Sequence, residues 1–324
     1  MNRLGKESEQ HGTPPGGHMA TRGKKGPSQA SVHLLMVVAA TLVSTSFTVG
    51  RAITHGLDPA VLTLLRFFLA AVLFAPYIIW RFGVHLDRSL FFRCALISLS
   101  LVIFFCCMFL SLRYTTALHT SVIFALVPSM AGGYALLLLG ERLTRERLLA
   151  LACGMVGVIW VVFRGDLGLL LAMEWNVGDQ IFFGGCCAMA LYTPLVKLLH
   201  RGEPMAIMTF WVLVTGSLWL LIFTGYRLPE VEWSAVPTTV WAGIAYLAVF
   251  TTIITFFLTQ YAVPHLGPTR VMAYSYLYPA LVLLLDLLLG YGLPPLRVLP
   301  GILVIVAAMF VLRRQERPLA VKRF

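Results

Sequence analysis

Long apolar stretches separated by short polar connections fill the chain from Val32 to Leu312. Most of these stretches hold about 17 to 25 residues, enough for an α-helix to cross ~30 Å of hydrocarbon. They are apolar on every face, whereas a membrane β-strand would alternate polar and apolar positions. The pattern therefore predicts an all-α integral membrane protein. Ten transmembrane helices are predicted, at residues 32–50, 60–80, 90–112, 117–139, 147–163, 179–199, 205–225, 237–260, 268–289 and 295–312.

Both ends of the chain differ from this apolar part. Residues 1–31 are rich in Gly, Pro, Lys and Ser, so they have little to bury and are predicted to be a disordered tail. A cleaved signal peptide is not expected, because the following apolar stretch is longer than a signal-peptide core and lacks a small-x-small exit. Residues 313–324 form a second polar tail.

Composition and charge agree with a membrane protein. Hydrophobic residues make up 59% of the chain and charged residues only 12%, about half the ~25% typical of soluble domains. Basic residues favour the cytoplasmic side of a membrane. With the N-terminal tail inside, most of the 25 Lys and Arg residues lie in the tails and inner connections, while each outer connection holds one arginine. We therefore predict that both termini are cytoplasmic.

The net charge of +11 follows from this bias and favours contact with anionic lipid headgroups. A nucleic-acid-binding protein would instead need a basic face on a soluble surface. We expect membrane lipid and no nucleic acid as partners.

No cofactor, metal or catalytic group is predicted. The six cysteines lie in apolar segments without His or carboxylate at ligand spacing, so we expect them to be small buried residues. His33, His119 and His265 are isolated from any nucleophile or acid that could complete a catalytic group. The sequence therefore does not predict an enzyme.

An internal repeat is visible in the apolar part. The span Ala125–Val162 resembles Tyr276–Leu312 in layout: a proline within a helix, a closing glycine, a short turn, and a helix with an early glycine. The equivalent positions are Pro128 and Pro279, Gly140 and Gly290, and Gly154 and Gly301. The ten helices thus divide into two five-helix repeats at 32–163 and 179–312. Because five is odd, the second repeat is inverted in the membrane, as in many secondary transporters.

The turn after the fourth predicted helix has recognisable helix-end chemistry. Gly140 is expected to close the fourth helix in the left-handed conformation, and Thr144 to cap the fifth with Glu146 in its first turn. Glu141 is expected to be a solvated carboxylate at the cytoplasmic end. Tyr291 stands at the equivalent position of the second copy, so this carboxylate exists in one half alone.

The GERLT motif at Gly140–Thr144, the setting LTLLRFFLAAVLF around Arg66, and the two five-helix halves resemble the EamA family of the drug/metabolite transporter superfamily. The resemblance covers residues from Val32 to Leu312. It implies a secondary transporter of the cell inner membrane, with a central cavity between the halves. Many members export amino acids and related metabolites, so a small-molecule substrate is expected. The sequence is compatible with either a monomer or a homodimer.

Two alternatives differ in their chemistry. An organophosphate or nucleotide-sugar antiporter of the same superfamily would need cationic residues in the cavity, for which Arg66 is the clear candidate. A non-transporting receptor or scaffold would not need inverted halves and would have larger connections than these.

Polar groups at membrane depth are the candidates for a substrate site. Pro128 and Pro279 are expected to kink their helices midway and to expose backbone carbonyls. For single Ser and Thr residues the simpler expectation is a hydrogen bond to their own helix. Asp286 is a candidate for carrying a coupling proton, since it is a carboxylate within an apolar helix. The substrate-binding candidates are Arg66, His119, Tyr274, Ser275 and Tyr278.

Overall fold

All regular secondary structure in the described part of the chain is helical. The computed structural model describes residues 29–53, 56–83, 87–111, 114–115, 120, 123–141, 144–172, 175–288 and 296–314. The α-helices are α1 Gln29–Ile53, α2 Pro59–Phe82, α3 Arg88–Ser111, α4 Val127–Leu139, α5 Arg145–Val162, α6 Leu167–Leu171, α7 Val177–Leu199, α8 Met205–Thr224, α9 Thr238–Ala248, α10 Thr255–Leu266, α11 Pro268–Ala273, α12 Leu277–Leu288 and α13 Leu299–Arg314.

Helix length and composition fit a protein that crosses the membrane several times. Two shorter apolar helical stretches are Val127–Leu139 and Leu296–Leu312. Six stretches in the described ranges are long and apolar enough to span a bilayer: Gln29–Ser46, Ala60–Phe82, Arg88–Met108, Val177–Leu199, Met205–Glu230 and Thr238–Leu266. The all-α membrane class is confirmed, and the number of ten spans stays a prediction.

Several helix ends are set by residues close in sequence. The carboxylate of Asp58 accepts from the backbone N–H groups of Ala60 and Val61, which begins α2. Gly140 has φ 65° and ends α4 in the left-handed conformation, while the Thr144 hydroxyl caps α5. The predicted roles of Gly140 and Thr144 are confirmed.

The helices predicted to kink at prolines are instead divided close to them. α4 begins at Val127, which places Pro128 in its first turn. A 3-10 turn at Tyr274–Tyr276 separates α11 from α12, and Pro279 is the third residue of α12. Proline has no N–H to donate, and the first turn of a helix needs none. The predicted mid-helix position of both prolines is therefore corrected to a helix start.

The helices pack in pairs that are far apart in sequence. α3 packs against α7 and α8, and α2 against α8 and α9. α1 lies against α9, α10 and α12, while α4 contacts α7 and α11. α5 packs along α13. Apolar side chains at these contacts form the buried core.

The contact between α5 and α13 depends on glycine. A Cβ atom placed at Gly157 would lie 2.9 Å from the carbonyl oxygen of Gly301, too close for any real side chain. One turn earlier, the ring of Tyr276 covers Gly154, and its hydroxyl donates to the carbonyl of Leu151 at 3.1 Å. Small residues thus let these backbones approach closely, as is typical of membrane helices.

Candidate functional site

Arg66 binds the middle of the helical segment that includes α9 and α10. Its Nε donates to the hydroxyl of Thr252 at 2.5 Å, and its Nη2 donates to the carbonyl oxygen of Thr251 at 3.0 Å. The guanidinium carbon also lies 5.6 Å from the ring centre of Phe105 on α3, within the range of a cation–π contact. Arg66 therefore joins α2, α3 and the α9–α10 segment.

The acceptors for Arg66 lie in a π-helical turn, Val249–Ile254, between α9 and α10. The hydroxyls of Thr251 and Thr252 both donate to the carbonyl of Leu247, at 3.0 and 2.9 Å. The widened turn directs the Thr251 carbonyl and the Thr252 hydroxyl toward α2. Such turns often occur at functional sites. This turn is not predicted by the apolar pattern, in which the Thr-Thr pair inside an apolar helix is the available signal.

The positively charged guanidinium of Arg66 contacts neutral groups in the described ranges. Its partners in the described ranges are a hydroxyl, a carbonyl and an aromatic ring, with no carboxylate among them. Its side chain is half-buried. A charged group within a membrane protein usually faces the interior or a water-filled cavity and finds an opposite charge there. This arrangement could accept an anionic group.

A row of aromatic rings leads from Arg66 to Tyr278. Phe105, beside Arg66, has its ring centre 5.3 Å from that of Phe104, which is 5.8 Å from Phe124. The ring of Phe124 stacks against Tyr278 on α12 at 6.4 Å. Phe105, Phe124 and Tyr278 are half-buried. Two predicted site residues, Arg66 and Tyr278, thus lie at the two ends of a chain of ring contacts, in which Phe104 is buried.

Tyr274 and Ser275 lie deeper in the core. The Tyr274 hydroxyl is 2.5 Å from Nδ1 of His33 on α1, and its side chain is only 5% exposed. Ser275 is also buried, and its hydroxyl has no hydrogen-bond partner among the described residues. The contact between Tyr274 and His33 is not predicted by the sequence, in which the two residues lie 241 positions apart.

Other predicted residues are outside the part of the chain that can be described. His119 is outside the described ranges, as are the side chains of Pro279 and Asp286, although the backbone of both belongs to α12. Their roles in binding or coupling stay predictions.

Hydroxyl groups in α1 mostly bond their own helix. Ser44 donates to the carbonyl of Ala40 at 2.8 Å, and Thr41 donates to Val37 at 3.0 Å. This confirms the simpler expectation for these residues. Thr45 differs, because its hydroxyl also lies 2.8 Å from the hydroxyl of Tyr246 on α9.

Glu141 forms an ion pair with Lys197 near the end of α7. The two side chains are 11% and 23% exposed. The expectation of a solvated carboxylate is therefore wrong, because the fold brings the end of α7 against the turn after α4. The two residues are 56 positions apart, so local helix-end chemistry could not reveal the contact.

The described ranges contain His, Cys, Asp and Glu side chains, the usual protein ligands of metal ions. No set of three His, Cys, Asp or Glu side chains there is arranged to hold a metal ion. No disulfide joins the six cysteines, and Cys94 and Cys186 are buried as expected. Cys153 is exposed, so the expectation of a buried residue is wrong there.

Comparison with known proteins gives consistent matches over most of the chain. The model of the EamA-like transporter family matches twice, at residues 30–163 and 176–313. The uncharacterized transporter YyaM of Bacillus subtilis (strain 168) is 21% identical over 283 residues, covering 86% of this chain and 92% of YyaM. An uncharacterized transporter of Archaeoglobus fulgidus is 26% identical over 257 residues, covering 77% and 86%. One crystal structure matches with a TM-score of 0.70 at 19% identity, over 90% of this chain and 100% of that chain, which shows a shared fold.

Proposed function

The chain belongs to the EamA-like transporter family, and on that basis we propose that it is a secondary transporter of the inner membrane that exports small polar metabolites bearing a carboxylate, such as amino acids or their derivatives. Relatives named as transporters support the transport function. The carboxylate in the proposed substrate is inferred from Arg66, whose positive charge has no carboxylate partner in the described ranges.

A substrate carboxylate would supply the opposite charge. Two nitrogens of Arg66 already donate to the π-helical turn, which fixes the direction of the guanidinium. No described residue accepts from the remaining nitrogen, Nη1. A hydrogen bond from a guanidinium to a carboxylate is about twice as strong as one between neutral groups. The ring of Phe105, beside Arg66, would contact the apolar part of a small ligand.

Two inverted five-helix halves, 32–163 and 179–312, are part of the proposal. The family model matches the chain twice. If α7, α8, α9–α10, α11–α12 and α13 are equivalent to α1 to α5 in order, the contact of α3 with α7 corresponds to that of α1 with α9–α10. The contact of α4 with α7 likewise corresponds to that of α1 with α12. The pairs α2–α8, α4–α11 and α5–α13 are each their own equivalents. Such symmetry would allow rocking that exposes one site to each side in turn.

Transport by the purified protein tests the substrate class. In liposomes loaded with a panel of amino acids, other carboxylates and phosphorylated metabolites, we expect efflux of carboxylate-bearing compounds and none of neutral analogues of the same size, since these lack the partner for Arg66. Protein-free liposomes are the control. Efflux of phosphorylated compounds alone, in strict exchange for phosphate, would contradict this proposal and favour an organophosphate or nucleotide-sugar antiporter.

Orientation can be tested in intact cells. We expect a reporter fused after Arg314 to be cytoplasmic, because basic residues favour that side of the membrane. A Trp175→Cys variant should react with an impermeant thiol reagent from outside, since Trp175 lies in a predicted outer connection and is 59% exposed. The unmodified chain, with its six native cysteines, is the control. Reaction solely after the cells are opened would reverse the predicted threading.

A further inference from the structure

Three ion pairs connect residues that both lie in the described ranges, and each one joins the first proposed half to the second. The acidic partner comes from the first half in two pairs and from the second half in one. The pairs are Asp58 with Arg227 at 3.0 Å, Glu203 with Arg93 at 2.6 Å, and Glu141 with Lys197. If the two halves separated, these ion pairs would therefore be stretched or broken.

The pairs lie at opposite ends of the helices. Asp58 stands directly before α2, whereas Glu203 lines a cavity with Phe82 and Gly83 at the other end of α2. A helix of this length spans about 36 Å. We call these the Asp58 end and the Glu203 end. Lys197 belongs to the Glu203 end, because it lies two residues before Leu199, whose carbonyl accepts from Arg93 at 2.5 Å.

Asp58 and Glu203 occupy equivalent places in the two proposed halves. Each is followed by a proline at the start of the second helix of its half, α2 or α8. Their arginine partners are not at equivalent positions, because Arg227 lies in the connection after α8 whereas Arg93 lies within α3. The two pairs thus use equivalent acidic residues with different arginine positions, and they allow the two ends of the protein to be compared.

The ion pair at the Glu203 end is more deeply buried. Both side chains of the Arg93–Glu203 pair are 13% exposed, against 33% and 28% for Arg227 and Asp58. The cavity beside Glu203 measures about 140 Å³, and the one beside Asp58 about 330 Å³. Residues 192–196 of α7 and 266–276 are buried without interruption. The two halves are therefore packed closely together at the Glu203 end, which we describe as closed.

The pair of Glu141 with Lys197 lies over this closed end. Glu141 follows the turn that ends α4, and its carboxylate faces Gly267, the residue directly before α11. A Cβ atom at Gly267 would be 3.8 Å from Oε2 of Glu141. One side chain thus touches α7 and the start of α11, both of which belong to the second proposed half. The second copy of the motif has Tyr291 in place of this carboxylate.

We infer that Glu141 and Lys197 form an ionic lock that holds the Glu203 end closed and favours the state open toward the Asp58 end. This inference rests on the alternating-access part of the proposed function. Separation of the halves at the Glu203 end breaks the lock together with the Arg93–Glu203 pair. At the Asp58 end, the ion pair of Asp58 with Arg227 is more exposed than either pair at the Glu203 end. Because the carboxylate is missing from the second copy of the motif, the two states are unequally stabilised.

The lock can be tested by thiol reactivity of the purified protein in nanodiscs, where the reagent reaches both faces of the membrane. The reporter is Thr269→Cys, since Thr269 is 2% exposed and lies on α11, a helix that carries neither lock residue. The rate of reaction with a polar maleimide is followed by intact mass, and the chain with threonine at 269 is the blank. Glu141→Gln and Lys197→Gln are each expected to raise the rate about fivefold or more, a coupling of ordinary size between two states.

Two variants show whether the pair itself is responsible. The combined exchange Glu141→Lys with Lys197→Glu restores opposite charges and should return the reporter to its original rate. Asp58→Asn removes a charge from the ion pair at the other end but keeps a good helix cap, so it should not raise the rate. The lock is refuted if the single changes have no effect, if the exchanged pair reacts as fast as they do, or if Asp58→Asn has the same effect. No transport is measured, so failure of the substrate proposal would leave this result unchanged.

Discussion

Replacement of Arg66 by alanine is expected to reduce transport of carboxylate-bearing substrates by roughly 10- to 100-fold, the value of one hydrogen bond to a charged group. The protein should remain folded in the membrane, because the hydroxyls of Thr251 and Thr252 keep their bonds to the Leu247 carbonyl when the arginine is removed. The loss should appear as flux per molecule in liposomes.

Graded variants separate charge from geometry. Arg66→Lys keeps the charge but loses the planar group that reaches both acceptors at once, so partial transport is expected. Thr252→Val removes the acceptor for Nε and should produce a smaller defect of the same kind. Thr224→Val is the matched control, because this buried hydroxyl bonds the carbonyl of Leu220 in its own helix at 2.7 Å.

The opposite outcome has a clear meaning for Arg66. If Arg66→Ala lowers the amount of folded protein while each remaining molecule transports normally, the arginine holds α2 against the π-helical turn and does not bind substrate. A defect in Thr224→Val equal to that in Thr252→Val would show that the loss of a buried hydroxyl alone explains the effect.

Leucine at Gly157 is expected to prevent stable folding. Its Cβ would lie 2.9 Å from the carbonyl oxygen of Gly301 and 2.9 Å from Cγ1 of Ile305. A backbone atom cannot move aside as the end of a flexible side chain can, so α5 and α13 would have to separate. Overpacking of a well-packed core typically costs about 1–3 kcal/mol. A forced separation of two helices should lie at the upper end of that range.

Gly133→Leu provides the matched control, since a Cβ at Gly133 meets nothing within 4 Å. Both variants add the same apolar side chain to a helix, so differences in helix propensity and hydrophobicity cancel. We expect Gly133→Leu to retain a single symmetric size-exclusion peak and a normal melting temperature in detergent, and Gly157→Leu to lose both. Equal behaviour of the two variants would show that the close contact of α5 with α13 is not needed for stability.

Local chemistry explains why some features could be predicted from sequence. The left-handed Gly140 and the cap at Thr144 involve groups within a few residues of each other, and a helix end has few ways to satisfy its backbone. The prolines show the limit of such reasoning. Their positions marked the interruptions, but whether a helix bends or begins anew at Pro128 depends on the helices packed around it.

The sequence by itself determined that this is a helical membrane protein, because lipid offers no hydrogen bonds and the length and apolarity of each stretch must match the bilayer. Every helix shows the same apolar pattern, so the pattern does not indicate which helices pack against each other. Contacts between Arg66 and Thr252, 186 residues apart, and between His33 and Tyr274, 241 residues apart, were decided by the tertiary structure alone. The pair of Glu141 with Lys197 belongs with them, because a carboxylate at a helix end is solvated or paired according to which other helix end packs beside it.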